Sequence, residues 1–179
     1  MDELLLIAGT GRNSGKTTMA CAVIRNVSQH QPIVAIKITP HFHDYFTSDN
    51  LLIDRNDLVI MVETQTGTDK DSSRMLVAGA EQVYFVMATD ERLSEAMQII
   101  SGVNTKKRPL VCESGGLIHY FEPALFLMMS RADQTEFKPE SDALAGLADL
   151  RISFDGVHPD FNPETITYSS NKWQLAPKY

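Results

Sequence analysis

Cysteine is scarce in this 179-residue chain, which has two, Cys21 and Cys112. Neither belongs to a C-x-x-C pair or a metal-ligand spacing, so a cysteine metal site is excluded. Both read as reduced core residues of a cytosolic protein. Positive charge is short as well: 16 Lys and Arg face 23 Asp and Glu, for a formal charge of -7. That excludes the general basic footprint of a nucleic-acid binder. Long apolar runs are missing, and none reaches the roughly 18 residues of a membrane span. The N-terminus reads Met1-Asp2-Glu3 and then a short apolar run. It lacks the basic stretch and longer apolar core of a secretory leader. The expectation is a cytoplasmic protein with a small-molecule or protein partner, no nucleic acid and no membrane.

What is present is ordinary globular material, 43% apolar. The length suits one domain over residues 1–179, able to bury roughly 70% of its unfolded surface. Leu4 to Ala8 is a short continuous apolar run, as in a strand buried on both faces. Residues 16–29 carry Met19, Ala20, Val23, Ile24 and Val27 at helical spacing. Residues 32–38 read as a second buried strand, so the start of the chain is a βαβ unit. Residues 41–50 read as a loop, and the apolar runs flanking Arg55-Asn56-Asp57 as a β-hairpin. A loop over 64–73 ends as a helix cap supplied by Asp71 or Ser72. Then come a short helix through Ala80, a strand over 82–88 and a helix over 90–102 closed by Gly102. Strands follow at 108–117 and 124–133, then a helix capped by Ser141 and a strand near 150–156. Residues 164–175 read as a final hairpin. Strands alternating with helices predict an α/β fold, mainly a parallel doubly wound sheet, with an inserted β-hairpin and a C-terminal β extension.

The chemistry centres on Thr10-Gly11-Arg12-Asn13-Ser14-Gly15-Lys16-Thr17-Thr18, between a buried strand and a helix. Glycine lets the backbone approach a ligand closely, and its N–H groups can converge on phosphate. The dipole of the following helix adds to that attraction. Lys16 is placed to reach β- and γ-phosphates, and the Thr17 hydroxyl to coordinate Mg²⁺. The pattern G-x-x-x-x-G-K-[ST] is broken at one place, because Thr10 stands where it has its first glycine.

The loop GTGRNSGKT resembles that of dethiobiotin synthetases, GTDTxxGKT. It is also similar to the SGTGKTT loop of the MobB-type proteins of molybdopterin guanine dinucleotide synthesis. Both families are SIMIBI-class P-loop NTPases. Residues 67–86 resemble the MobB-type segment PGKDSxxxxxAGAxQVxV through Lys70, Asp71, Ser72, Ala78, Gly79, Ala80, Gln82 and Val83. IKITPHFHD, residues 36–44, is similar to that family's IKHTHHD, and VCESGGL, residues 111–117, to its strand-ending VEG. The resemblance covers 4–44 and 67–117; residues 45–66 look like an insertion, and the C-terminal third matches poorly. Many members of the class carry a second lysine early in the loop that acts across a dimer. Gly11 holds that place here, with Arg12 beside it.

The resemblance implies a P-loop NTPase fold, bound GTP or ATP with Mg²⁺, and a homodimer. Lys16 and Glu113 are the implied catalytic pair, and Thr17, Glu113 and Asp44 the implied metal set. Mg²⁺ usually takes one or two carboxylates beside phosphates and waters. Glu113 closes a buried strand, where ligands bind in doubly wound sheets; its alternative role is to cap the Gly115-Gly116 turn. Lys37 ends the second strand, where synthetases carry a lysine near anions; the alternative is an exposed strand-end lysine. His41 and His43 share one side of an extended segment, without an evident third metal ligand. Arg74 is a candidate phosphate contact or a solvated helix residue.

Ser130-Arg131-Ala132-Asp133 stands where GTP-binding proteins of this class often carry Asn-Lys-x-Asp. Asp133 then accepts from guanine, and Arg131 stacks on the base; the alternative for Asp133 is a turn residue. Three functions follow. The first is a MobB-like accessory protein that binds and slowly hydrolyses GTP beside a molybdopterin nucleotidyltransferase. The second is an ATP-dependent ligase resembling dethiobiotin synthetase. The third is a non-catalytic nucleotide-binding regulator.

Overall fold

The computed structural model describes residues 1–44, 50–135 and 139–176. The first strand, β1 (Leu4–Gly9), is buried along almost its whole length. It is buried because it lies in the middle of an eight-stranded sheet. The helix α1 (Lys16–Ser28) follows, with Met19, Ala20, Val23, Ile24 and Val27 among its buried residues. Next come β2 (Val34–Thr39), the hairpin β3 (Leu51–Arg55) and β4 (Leu58–Val62), and α2 (Asp71–Val77). The chain continues through β5 (Gln82–Ala88), α3 (Leu93–Val103), β6 (Leu110–Glu113) and β7 (Leu125–Arg131). It finishes with α4 (Pro139–Leu147), β8 (Leu150–Phe154), β9 (Ile166–Ser169) and β10 (Lys172–Leu175).

The sheet order is β3-β4-β5-β2-β6-β1-β7-β8. From β5 to β8 every pairing is parallel; β4 runs antiparallel to β5, and β3 to β4. One core lies between the sheet, α1, α2 and the β9–β10 hairpin. The other holds Leu93, Ala96, Met97 and Ile100 of α3 against the opposite face, with Leu144 and Ala145 of α4 packed on it. The architecture is thus α/β, a mostly parallel mixed sheet flanked by helices and compatible with double winding. No helix among the described residues is long and apolar enough to cross a membrane.

Several local expectations are corrected. The helix expected to run through Ala80 ends at Val77, because Gly79 takes φ 108°. A side chain at Gly79 would meet the Ser28 hydroxyl at 2.7 Å. Neither Asp71 nor Ser72 caps α2; its N-cap is Lys70, without a side-chain hydrogen bond. Gly102 lies inside α3, whose C-cap is Asn104. Ser141 lies inside α4 rather than at its cap, since that helix starts at Pro139. The inserted hairpin forms as expected; residues 45–49 of the insertion, and part of the loop read over 41–50, lie outside the described residues.

The C-terminal hairpin turns at Ser170-Asn171, with φ 52° and 60°. Two successive positive φ values are those of a type I′ turn, whose twist suits a hairpin. Trp173 is 1% exposed and its indole N–H donates to the Glu3 carbonyl at 2.8 Å. Tyr168 packs edge-on against it at 5.3 Å. Replacing Trp173 with Ala removes this anchor and leaves a cavity against α1. The expected loss is about 3–5 kcal/mol in urea unfolding.

Candidate functional site

The parallel strands all end at one edge, and there a cleft of about 1020 Å³ opens. Open α/β sheets bind ligands at this edge. Its lining takes in Gly11, Arg12, Asn13, Ser14, Gly15, Lys16, Thr17 and Thr18. Six cations line it (Arg12, Lys16, Lys37, Lys70, Arg74 and Arg131) against four carboxylates (Asp44, Glu63, Asp71 and Glu113). The cleft is therefore net positive in a chain whose formal charge is -7, which draws anions toward it.

Two glycines make the loop possible. An added Cβ at Gly9 would run into Ser14 Oγ and crowd the Lys16 side chain, so the loop's own side chains would have to shift. Gly15 has φ 85°, and a Cβ there would meet the Phe154 ring at 2.5 Å. Asn13 also takes a positive φ, 58°. Gly11 meets nothing within 4 Å. Gly15 is the N-cap of α1 and supplies no side-chain acceptor, and the first turn of the helix holds no acid. Hence among the described residues no side chain caps its leading N–H groups, and the nearest acids, Glu113 and Asp71, are held at the Thr17 hydroxyl.

Lys16 Nζ donates to the Gly11 carbonyl at 2.6 Å and to Ser14 Oγ at 3.2 Å. Burial pushes its pKa down, and the charge of Lys37 adds to this against the pull of Glu113 and Asp71. Thr17 Oγ1 lies 2.8 Å from Glu113 Oε2 and 2.9 Å from Asp71 Oδ1. Lys37 Nζ reaches the other oxygen of each acid, at 2.5 Å from Glu113 Oε1 and 2.7 Å from Asp71 Oδ2. Glu113 is 2% exposed, so this compensation is what permits a carboxylate there. Burial alone would lower the Lys37 pKa; the Glu113 charge and hydrogen bonds to both acids outweigh it and raise it. Burial acts upward on Asp71, but the hydrogen bond and charge of Lys37 and the Thr17 hydroxyl hold its carboxyl below the usual range.

Glu113 is thus bonded to Thr17 and Lys37, not used as a cap on the glycine turn, where the Ser114 hydroxyl accepts from Leu117 N–H instead. Asp44 lines the same cleft, with no hydrogen bond to Thr17 or Glu113 among the described residues. Asp71 is the second carboxylate at Thr17, a position sequence reasoning assigned to Asp44. The KDS segment held the signal, but the expected helix cap explained its residue types without it. His43 tilts against Phe85 at 5.9 Å. Among the described residues no group of three or more His, Cys, Asp or Glu side chains forms a metal cluster. Thr10 Oγ1 donates to Gln134 Oε1 at 2.6 Å, tying the loop to the turn after β7. Arg131 lines the cleft, while Asp133 is absent from that lining and holds Arg131 in a two-point pair at 2.6 and 2.7 Å.

Compared with family models, curated proteins and solved structures, the chain matches none of them.

Gly15→Ala forces an L residue into a left-handed conformation, costing about 1–2 kcal/mol before the Phe154 clash. Gly11→Ala is expected to change stability by less than about 0.5 kcal/mol. Urea midpoints of the two variants check the contrast. Lys37→Met leaves Glu113 and Asp71 facing each other with only the longer Arg74 pair to Asp71 at 3.8 Å. The expected loss is about 3 kcal/mol, the low end for a broken buried pair because Asp71 is 36% exposed. In the parent protein the Asp71 contribution is present above 3.8 and lost as pH falls through its lower folded value. The Lys37 contribution is present below 10.5 and lost as pH rises through its higher folded value. Between those limits the contributions of Asp71 and Lys37 are level. Lys37→Met removes the largest downward pull on Asp71, so burial raises its carboxyl, and the variant should lose stability as pH rises from about 5 to about 8; unfolding at both pH values reads this.

Proposed function

We propose that the chain is a P-loop-type protein that binds a purine nucleoside triphosphate with Mg²⁺, GTP favoured, and hydrolyses it slowly. We further propose that it acts as a homodimer, as a MobB-like accessory protein to a molybdopterin nucleotidyltransferase. The observation that carries the first part is the uncapped start of α1 at the cleft, with Lys16 and the carboxylate-held Thr17 in its first turn. Backbone N–H groups, a helix dipole and an ammonium together suit a polyphosphate. The accessory role rests on the resemblance of residues 67–86 to the MobB-type segment.

Mg²⁺ fits the donor set. Thr17 Oγ1, Asp71 and Glu113 are hard oxygen donors brought together at the loop, and Lys37 offsets one of the two carboxylate charges. Thr17 would hold the ion, with Glu113 and Asp71 at its side. When bound, it would neutralise charge on the β- and γ-phosphates. Phosphoryl transfer to water asks for positioning and charge neutralisation more than covalent chemistry. Lys16 supplies charge at the phosphates and Glu113 orients the water. Arg12 and Arg74 are the arginines of the cleft near the loop, and Arg74 also pairs with Asp71 at 3.8 Å. Among the described residues neither arginine is an evident arginine finger, so slow turnover is expected.

The second reading is an ATP-dependent synthetase. It is favoured by one observation: the cleft continues past Lys37 to Phe85 and Met61, leaving room for an acceptor.

Equilibrium titration of Mg·GTP and Mg·ATP tests the reading. Lys16→Ala should weaken both by about 30- to 100-fold, the loss of a charge-assisted contact. Asp133, paired with Arg131 outside the cleft lining, would read the base only on leaving that pair, and Asp133→Asn should then erase a GTP preference of tens- to several hundred-fold. Unchanged affinity in Lys16→Ala would remove the loop from consideration as the binding site. An ATP preference indifferent to Asp133 would move the assignment to the synthetase.

A further inference from the structure

Glu113, Lys37, Phe85 and Met61 form one register line across four neighbouring strands, β6, β2, β5 and β4. Register partners project from the same face. Toward β1 the line continues to Ile7, buried in the core with α1. Outward it passes from a carboxylate to an ammonium, then to an aromatic ring and a thioether. Phe85 and Met61 are only half-buried. The reason is α2, seven residues long. It packs on β2 and β5, starting with Asp71 at Lys37, and leaves Phe85 and Met61 lining the cleft.

This half-buried floor belongs to the same cleft. His43, tilted against Phe85, walls one side. Glu63 is fixed by the Ser72 hydroxyl at 2.6 Å and by the Thr64 and Gln65 N–H groups, so it is a rigid wall. Asp44 and Lys70 stand at the rim and form no ion pair among the described residues. The rim therefore offers an acceptor and a donor, above an apolar floor. Strands lie about 4.8 Å apart, so Phe85 stands about 10 Å from Glu113, two strands over. That is beyond the Thr17 cluster, on the far side of Lys37 from the phosphate loop.

We propose that this floor binds a second small molecule, a flat heteroaromatic ring with N–H donors and carbonyl acceptors on its edge. The ring lies on Phe85 and Met61, with its edge toward Asp44 and Lys70. Its role as the companion of a bound nucleotide rests on the reading above; the floor itself rests on geometry alone.

Quinazoline-2,4-dione has such an edge and carries no phosphate for the loop to hold. Its binding to the full chain is read by saturation-transfer NMR, with and without saturating Mg·GTP. The expected result is binding in both conditions. Phe85→Ala should weaken it about 5- to 10-fold, the worth of one aromatic contact, with GTP affinity unchanged. Lys70→Glu, an exposed change that leaves the core intact, should weaken it as well. Three results overturn the proposal: no binding to the folded parent, binding indifferent to both variants, or loss of the probe when Mg·GTP saturates. Mg·GTP titrated separately into the parent and Lys16→Ala reports on the nucleotide reading. That reading can fail while the probe still binds without nucleotide.

Discussion

A carboxylate buried at the end of a central strand is the constraint on which the candidate site depends. Glu113 is surrounded by sheet and helix, and a charge there is costly without partners. Thr17 and Lys37 meet it, and Asp71 meets both of them. Four elements are thereby pinned together at their ends: β6, α1, β2 and α2. The position of Thr17 at the mouth of the phosphate loop follows from this arrangement. So does the position of the first turn of α1 over the cleft.

The loop and the cluster have opposite electrostatic economies. The cluster is nearly self-satisfied, since two cations stand near two acids and a hydroxyl bridges them. The loop is not, because a glycine caps α1 and no acid stands in its first turn. Packing holds both in place. Phe154 of β8 closes against Gly15, and Ser14 against Gly9. The loop is shaped from behind by close contact rather than by internal hydrogen bonds to its N–H groups. A rigid, positive concavity in a negative chain is the result.

Much of the fold was legible. Leu4–Ala8, residues 32–38 and residues 82–88 are short, apolar and bounded by turns, so their identity as buried strands was available from pattern alone. The hairpin around Arg55-Asn56-Asp57 and the final one over residues 164–175 were also legible. Helix ends were less so. The end of α2 depends on Gly79 closing onto Ser28, a contact between distant segments. Of the site, Gly15, Lys16 and Thr17 announced themselves. Asp71 did not, because an Asp at a helix start satisfies local rules by itself. Its partnership with Thr17, 54 positions away, belongs to the tertiary structure.

The sequence alone determined the α/β class, the glycine-bounded loop between strand and helix, and the carboxylate at a strand end. These are local matters: apolar periodicity, glycine's access to positive φ, and residue type at a known place in the pattern. Only the tertiary structure decided the strand order and with it the register line Glu113–Lys37–Phe85–Met61. It also decided that Asp71 faces Thr17 and that Asp133 turns to Arg131 outside the cleft lining. The physical reason is sequence separation. Parallel strands are joined through crossovers, so neighbours in the sheet are strangers in the chain, and the pairing that sets the site is chosen by packing of both faces at once.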